Sequence, residues 1–382
     1  RPECDGSQDH DMILRLTDRA KCVVHVPKLL YYWRCHPGSV ASGVDAKPYV
    51  VEAAKGAVAD HLRRHGFKHF QITSTRAFET IFKIRYEIIG TPKISIVIAN
   101  KDHQSDLKRC VDSILEKSTY ENYEIIVVDN ASRQDEASLI QERYPFVRTL
   151  RSEKNLGFSG GNNLGIQIAQ GKYLFLINND TYLTEDGLPA LIERLESDPR
   201  IGAVSPKIRF AFPPQNIQFA GYTKLSRYTM RNKALGMGCP DDGTFDTPRP
   251  SAYLHGAALM LKREVIWKAG LMPEIYFLYY EELDWCTNMT RAGYQLWYEP
   301  RCTIFHKESQ STGRQSPLRT FYMMRNRMLY AWRNLPGMER CLAIAYQMLI
   351  VAPKDSLCFV LKGEPKLAKA VWHGVKGFWK LC

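Results

Sequence analysis

Short apolar runs that end on acidic or amide residues constrain the fold of this chain more than any other feature. Residues 94–100 (ISIVIAN) form a continuous apolar run, which is typical of a strand buried on both faces. Residues 124–129 (EIIVVD) and 172–177 (KYLFLI) repeat this pattern, and residues 146–150 indicate a further strand. Apolar residues at helical spacing lie between the runs, for example over residues 107–115. Strands that alternate with helices predict an α/β fold with a mostly parallel sheet and flanking helices.

Polar residues stand where such a sheet binds its ligands, at the carboxyl ends of the predicted strands. Any one of them has a simpler explanation, because Asn and Asp favour turns. Acidic residues that close three successive runs favour a binding site instead. The polar residues at or just after these strand ends are Asn100, Asp102, Asp129, Asn130, Asn179 and Asp180.

Two segments suggest how a phosphorylated ligand is held. A carboxylate beside amide oxygens at residues 178–180 suits a hard cation such as Mg²⁺ or Mn²⁺, which neutralises a diphosphate. Residues 155–165 (NLGFSGGNNLG) are glycine-rich and precede a helix, so their backbone can approach a phosphate closely. Their spacing fits neither the Walker loop nor the dinucleotide fingerprint, and a plain loop before a helix is the alternative.

Three carboxylates crowd into the first turn of a predicted helix that Gly293 ends. Glu281, Glu282 and Asp284 are candidates for a general base, although acidic residues also favour helix starts for electrostatic reasons. His306 follows a strand-like segment and is a candidate for a metal or phosphate contact. A single histidine is more often structural, so this prediction depends on what lies beside it.

The charge is unevenly distributed along the chain, whose net charge is +12. Residues 318–382 hold eleven Lys or Arg against three acids, which predicts a basic amphipathic helical tail. The tail also carries four aromatic residues, and this combination suits an anionic membrane surface. A solvated helical face is the alternative, and no nucleic-acid-binding module is recognisable. The aromatic residues are Trp332, Trp372, Phe378 and Trp379.

The sequence shows no signal peptide and no cysteine pairs with metal-knuckle spacing, so we expect a reduced, cytoplasmic protein. The most apolar stretch of the tail, residues 342–352, is shorter than the roughly 18 residues that a membrane crossing needs. The sequence therefore predicts no spanning helix and a peripheral position on the inner face of the membrane.

A similar arrangement of an acidic residue, a proline and a histidine occurs twice in the sequence. Asp9 lies eighteen residues before Pro27, as Glu282 lies eighteen before Pro300, and His36 and His306 follow. Such repetition predicts two related domains, the first cut short. We expect an upstream remnant over residues 1–43, a linker over 44–92, a catalytic domain over 93–317 and the tail over 318–382.

Taken together, these motifs resemble the family 2 glycosyltransferases, which have the GT-A fold, and especially bacterial rhamnosyltransferase-like members with tandem domains. The resemblance covers residues 93–333, and the shared order of its motifs is specific. The motifs are residues 94–98, 127–132, 155–163, 176–180, 256–260 and 277–284.

The resemblance implies a role for each candidate. Asp180, assisted by His306, would bind Mg²⁺ or Mn²⁺ on the diphosphate, and Glu282 would deprotonate the acceptor hydroxyl. The family's usual acid–Asp pair is Glu281–Glu282 here, which leaves Asp284 as a rival base. Residues implied in binding the nucleotide sugar are Ala99, Asn100, Asp102, Asp129, Asn155, Gly157, Gly161, Asn162, Asn179, Gly256 and Ala257.

The implied reaction moves rhamnose or another hexose or deoxyhexose from a nucleotide-diphospho-sugar, with inversion, to a polysaccharide or lipid-linked acceptor. A sugar nucleotidyltransferase is the enzymatic alternative, but it needs a glycine-rich loop after the first strand, and residues 100–104 contain no glycine. A non-catalytic scaffold of polysaccharide assembly would not need both Asp180 and Glu282.

Overall fold

A computed structural model describes residues 1–32, 49–75, 78–86, 90–308 and 316–381. The chain divides into two compact units, Arg1–Ile89 and Gly90–Cys382. His36, the repeat's counterpart of His306, lies outside the described residues, as does the expected domain boundary at residue 43.

The first unit contains two helices and a hairpin. Helix α1 is Gln8–Thr17, α2 is Tyr49–Arg64, and strands β1 (Phe70–Ser74) and β2 (Phe82–Tyr86) pair antiparallel. Asp9, the counterpart of Glu282 in the repeat, is exposed on α1.

The second unit is built on one large sheet, and the predicted buried runs form its centre. Strands β6, β3, β4 and β5 are parallel neighbours in that order. Beyond β6, the antiparallel strand β11 joins β8, which is parallel to β12, while β7, β9 and β10 pair antiparallel at the periphery. The strands are β3 (Ile94–Asn100), β4 (Tyr123–Asp129), β5 (Arg148–Arg151), β6 (Tyr173–Ile177), β7 (Thr181–Leu183), β8 (Ile201–Phe210), β9 (Ile217–Phe219), β10 (Arg249–Pro250), β11 (Ala258–Lys262) and β12 (Gln295–His306).

Helices cover the sheet, and the fold prediction is confirmed. Helix α5 packs closely on β3 because its glycines leave room: a Cβ on Gly165 would lie 2.3 Å from Val97 Cγ1. The helices of this unit are α3 (Gln104–Lys117), α4 (Glu136–Arg143), α5 (Gly157–Ile168), α6 (Leu188–Glu196), α7 (Arg263–Ala269), α8 (Glu281–Arg291), α9 (Pro317–Asn334), α10 (Gly337–Tyr346), α11 (Ala352–Leu361) and α12 (Pro365–Trp379).

The C-terminal helices are part of the core rather than an appendage. Met328 on α9 and Val371 and Phe378 on α12 are buried in the same hydrophobic cluster as Val97 of the central sheet. Phe378, expected on the surface, is fully buried. The three tryptophans of the tail remain 40–54% exposed, as expected of a surface that carries aromatic side chains.

The prediction that no helix reaches spanning length was wrong. A π-helical turn at Gln347–Val351 joins α10 to α11, so Gly337–Leu361 is one helix of 25 residues. Its length and composition are sufficient to cross a membrane, and 22% of its most apolar window is buried in the protein. The sequence pattern missed it because Pro353, Lys354 and Asp355 interrupt the apolar run without ending the helix.

Candidate active site

A cavity of about 640 Å³ opens at the carboxyl ends of the central strands. The ends of β3, β6 and β12 contribute to it, together with the start of α5 and the segment that leads into α8. It brings together most of the predicted residues: Ala99, Asn100, Asp102, Asn155, Gly157, Asn179, Asp180, Gly256, Ala257, Glu281, Glu282 and His306.

Asp180 and His306 meet because of strand pairing. His306, the last residue of β12, pairs with Thr181, the first residue of β7, and Lys307 donates its backbone N–H to the Asp180 carbonyl. As a result His306 Nε2 lies 3.3 Å from Asp180 Oδ1. Gln218 Oε1 lies 2.9 Å from His306 Nδ1 and can accept a hydrogen bond from that nitrogen, which orients the ring with Nε2 toward the carboxylate.

This pair fits a divalent cation. Both side chains are buried, and Asp180 Oδ1 has no hydrogen-bond partner among the described residues. Burial acts to raise the pKa of Asp180, but the adjacent His306 imidazole outweighs it and leaves the pKa lowered. An ionised carboxylate oxygen is a ligand that Mg²⁺ and Mn²⁺ prefer, and the adjacent imidazole nitrogen is a second donor atom.

Amide and carboxyl groups at the end of β3 are already engaged with their neighbours. Asn179 Nδ2 donates to Asn100 Oδ1 at 2.6 Å, which ties the end of β6 to the end of β3. Asp102 accepts the backbone N–H of Arg133 at 2.7 Å and pairs with Lys101 at 2.9 Å. These contacts, the Arg133 hydrogen bond first, lower the pKa of Asp102. The cavity edge therefore presents ordered amide groups and one ionised carboxylate.

The glycine-rich segment reaches the cavity only at its beginning. Gly157 has φ +72°, and a Cβ there would lie 2.3 Å from the Phe277 carbonyl oxygen. Gly161 and Asn162 do not line the cavity, contrary to expectation. Gly161 instead allows close packing, since its Cβ would lie 3.1 Å from Asn130 Nδ2, and Asn162 Nδ2 donates to the Phe158 carbonyl.

Asp129 also lies away from the cavity lining, contrary to the expected nucleotide contact. It is fully buried, and its Oδ1 accepts the backbone N–H of Ser132 at 2.8 Å. Arg151 lies 3.6 Å from Oδ2. Asp129 thus shapes the turn after β4, and the next residue, Asn130, reaches the cavity in its place.

Glu281 and Glu282 begin α8 at the cavity wall. Removal from solvent raises the pKa of Glu282 to about 7. The pKa of Glu281 is raised well above its ordinary value, first by burial and then by the charge of Glu282. Within the part of the chain that the structure describes, no group hydrogen-bonds Glu282 Oε2. A carboxylate with a pKa near neutrality and a free oxygen is suited to act as a general base.

Asp284, the rival base, is not brought to the cavity. Its carboxylate is 1% exposed and accepts hydrogen bonds from the Tyr276 hydroxyl and from Arg333 Nε, both at 2.6 Å. Because helical residues two positions apart point in different directions, Asp284 faces the core while Glu282 faces the cavity. Its role is a structural ion pair.

Sequence reasoning missed several residues of the site. His255 lines the cavity and is neutral, since burial, and then His306, lowers its pKa to about 3. Its ring lies edge-on to His306 with the centroids 6.0 Å apart, and its Nδ1 accepts the Ala257 backbone N–H. Gln218 and Tyr222 also line the cavity. Single residues in an irregular region carry no pattern, although His255 directly precedes the Gly256–Ala257 motif.

The sequence and fold of this chain were compared with those of known proteins. Residues 95–269 match the glycosyl transferase family 2 model. These residues form a family 2 glycosyltransferase domain. Glu281, Glu282 and His306 lie beyond the match, and the fold brings them to the domain's strand ends.

Several relatives are longer than this chain. It is 30% identical over 323 residues to uncharacterized protein y4gI of Sinorhizobium fredii, covering 81% of the chain and 35% of the relative. It is 26% identical over 316 residues to O-antigen biosynthesis protein RfbC of Myxococcus xanthus, covering 80% of the chain and 24% of the relative. The chain thus spans about a third of the first relative and a quarter of the second.

Two further comparisons concern the domain itself. An N-acetylglucosaminyl-diphospho-decaprenol L-rhamnosyltransferase of Mycobacterium tuberculosis is 26% identical over 210 residues, which is 50% of the chain and 68% of the relative. The crystal structure of GalNAc-T7 with UDP, GalNAc and Mn²⁺ superposes with a TM-score of 0.52 at 18% identity, covering 74% of the chain and 61% of that structure. This likeness supports the GT-A fold of the glycosyltransferase domain.

Proposed function

We propose that this protein transfers a sugar from a nucleotide-diphospho-sugar to an acceptor hydroxyl with inversion at the anomeric carbon. The observation that carries the proposal is the meeting of Asp180 and Glu282, about a hundred residues apart in sequence, in one cavity. The family of the domain and the names of its relatives support it.

In the proposed site, Asp180 and His306 Nε2 would hold Mg²⁺ or Mn²⁺. A cation there would neutralise the charge of the diphosphate and so make it a better leaving group. The presence of Mn²⁺ with UDP in the structure of GalNAc-T7 supports this assignment. Asn100, Asn155, Asn179 and the start of α5 contact the nucleotide and diphosphate, and Gly256 and Ala257 form the floor.

Glu282 takes the proton from the acceptor hydroxyl as that oxygen attacks the anomeric carbon. The new carbon–oxygen bond forms as the bond from the anomeric carbon to the diphosphate breaks, and the nucleoside diphosphate leaves with the electron pair. Burial and the charge of Glu282 raise the pKa of Glu281, which favours its protonated form, so that it adds no second charge beside the base.

The donor sugar is rhamnose or another hexose or deoxyhexose, and the acceptor is a growing surface polysaccharide or a lipid-linked glycan. The rhamnosyltransferase of M. tuberculosis and the O-antigen biosynthesis protein support both assignments. A lipid-linked acceptor also requires the protein to work at a membrane, on its cytoplasmic face.

The C-terminal helices offer a surface for that membrane. Exposed apolar residues recur along Gly337–Leu361 at Met338, Leu342, Leu349, Leu357 and Leu361, with separations of four, seven, eight and four, so they form one face. Six lysines of the tail are exposed beside them: Lys354, Lys362, Lys366, Lys369, Lys376 and Lys380.

The opposite side of this helix packs on the protein. Ala343, Gln347, Val351 and Ala352 are buried. A helix that crossed the bilayer would have to leave this packing, whereas one that lies in the interface keeps it and inserts only the apolar face. We therefore assign peripheral attachment to an anionic membrane rather than a crossing.

A donor screen tests the enzymatic proposal. Purified protein is incubated with Mn²⁺ or Mg²⁺, a panel of nucleotide sugars and lipid-linked acceptors, and the release of nucleoside diphosphate is followed. We expect release with at least one donor and at least about a 100-fold loss in Asp180→Asn. Asp242→Asn, a change at an exposed loop aspartate, is the control.

The alternatives give different results. A sugar nucleotidyltransferase would release pyrophosphate from a nucleoside triphosphate and a sugar phosphate. A non-catalytic scaffold would be silent across the panel, and silence with metal present, or equal release by wild type and Asp180→Asn, would contradict the proposal.

A further inference from the structure

The segment before Glu281 has a backbone conformation that requires outside support. Phe277, Tyr279 and Tyr280 have φ angles of +65°, +68° and +76°, a region that non-glycine residues rarely occupy. Residues 277–283 also form a continuous wall of the cavity. Any relaxation of this segment would move the start of α8 and therefore the Glu282 carboxylate.

One side chain of α9 holds most of the carbonyl groups of this segment. Asn326 Nδ2 lies 3.1, 2.7 and 2.8 Å from the carbonyl oxygens of Tyr276, Leu278 and Tyr279. Asn326 is fully buried, and its Oδ1 accepts a hydrogen bond from Arg325 Nε at 2.7 Å, which fixes the orientation of the amide. Its two N–H hydrogens are shared among three acceptors.

The other side of the segment is fixed by α5. The Phe158 backbone N–H donates to the Phe277 carbonyl at 2.8 Å, and the Ser159 hydroxyl donates to the Pro273 carbonyl at 3.0 Å. The segment is therefore held between a helix of the matched domain and a helix about 50 residues downstream of it. The α5 contacts fix one carbonyl of residues 276–279. Asn326 contacts the other three, and the Tyr276 carbonyl also accepts a hydrogen bond from Arg325 Nη2 at 2.5 Å.

We propose that Asn326 is a positioning residue that holds residues 276–280 in their strained conformation and so aims Glu282 at the acceptor hydroxyl. The proposal rests on the proposed function of Glu282 as the base. Asn326 does not line the cavity, so it acts through the segment and not on the substrate. Asparagine suits this position because its amide donates two hydrogen bonds from a short side chain, whereas Asp and Ser cannot.

The first test compares Asn326→Asp and Asn326→Ser with Asn334→Ser, a control at the end of the same helix, where the asparagine contacts Arg291 instead. Because small displacements of a catalytic group lower the rate strongly, we expect kcat to fall by about tenfold or more while the donor KM changes less than about threefold. We also expect the acid limb of the kcat/KM profile to move to lower pH, because a loosened segment admits water to Glu282.

The second test does not require activity. Amide hydrogen exchange is measured over residues 275–284 and at Phe158, whose N–H is held by the Phe277 carbonyl. We expect faster exchange at both places in the Asn326 variants and wild-type exchange rates at both places in Asn334→Ser. Asn326→Ser carries no buried charge, so it provides the measurement if Asn326→Asp does not fold.

The results separate this proposal from the proposed function. Faster exchange with lowered kcat supports the positioning role, whereas wild-type exchange in that segment, or wild-type kcat despite faster exchange, overturns it. If the wild type is inactive with every donor, the proposed function and the aiming of Glu282 fail together. The exchange data would then still decide whether Asn326 holds the segment.

Discussion

Glu282 is the residue whose charge state should control the rate. Its pKa of about 7 means that the base is protonated in acid and ionised above neutrality, so we expect kcat/KM to rise with pH and level off above about pH 8. Glu282→Gln should lower kcat by about 100-fold or more and remove this pH dependence. The measurement is a pH–rate profile of both proteins, and a wild-type profile that is flat from pH 6 to 8 would contradict the assignment.

Glu281 leads to a prediction about stability. Its folded-state pKa lies above the value in the unfolded chain, so the folded protein binds the proton more tightly. Its destabilising effect is absent below about pH 4.5 and grows as pH rises toward the raised pKa. Glu281→Gln should therefore raise the melting temperature at pH 8 by several degrees and change it little at pH 5.

Thermal unfolding of Glu281→Gln at both pH values, beside Glu264→Gln on the surface of α7, checks this expectation. An equal gain at pH 5 and pH 8 would mean that packing rather than ionisation limits stability at Glu281.

For single residues, the sequence predicted the residue types of the site well, but it did not predict which of these side chains point into the cavity. Asp180 and Asp129 carry the same signal, an acid at a strand end, yet only Asp180 reaches the cavity. Glu282 and Asp284 share a helical turn, and the Arg333 contact that turns Asp284 into the core comes from α9. Such distinctions depend on long-range partners that local pattern does not contain.

At the scale of elements, the start of α5 should tolerate substitution poorly. Gly157→Ala meets both a positive φ and the Phe277 carbonyl, whereas Gly293→Ala meets a positive φ of +93° with no atom within 4 Å. We expect a cost of about 1–2 kcal/mol for Gly293→Ala and more than about 3 kcal/mol for Gly157→Ala. Urea unfolding compares the two, and equal costs would show that the contact with Phe277 yields easily.

The central strands were predictable because buried parallel strands are continuous apolar runs, and β3, β4 and β6 lie where the pattern places them. The antiparallel insertion of β11 between β6 and β8 was not, because pairing direction leaves no trace in a short apolar run. The helix Gly337–Leu361 was missed because the apolar pattern breaks near its middle while the helix continues. A π-helical turn joins α10 to α11 there, and the proline lies in the first turn of α11, where a helix tolerates it.

At the scale of the whole molecule, membrane attachment should depend on one helix face. Leu349→Asp combined with Leu357→Asp places charges at positions that are 71% and 60% exposed, so folding should be unaffected. We expect at least about a tenfold loss of flotation with anionic vesicles, and weaker binding by the wild type at high salt.

Trp267→Asp, at an exposed tryptophan on α7, is the matched control for this experiment. Unchanged flotation of the double variant would assign the exposed leucines to some other contact. Deletion of residues 318–382 is unsuitable, because it would remove Met328 and Phe378 from the core.

The tandem organisation stays a prediction. In the first unit, α1 carries Asp9 at the place that Glu282 occupies on α8, and relatives much longer than this chain leave room for further domains.

The support that α9 gives to the segment before α8 has a practical consequence for anyone who trims this protein to its recognisable domain. A fragment that stops at residue 269, where the family match ends, would keep Asp180 and lose His306, Glu282 and Asn326 together. Such a fragment would retain the strand ends assigned to the donor and have no means of activating an acceptor. Inactivity of that fragment would reflect the position of the cut and would not count against the proposed function.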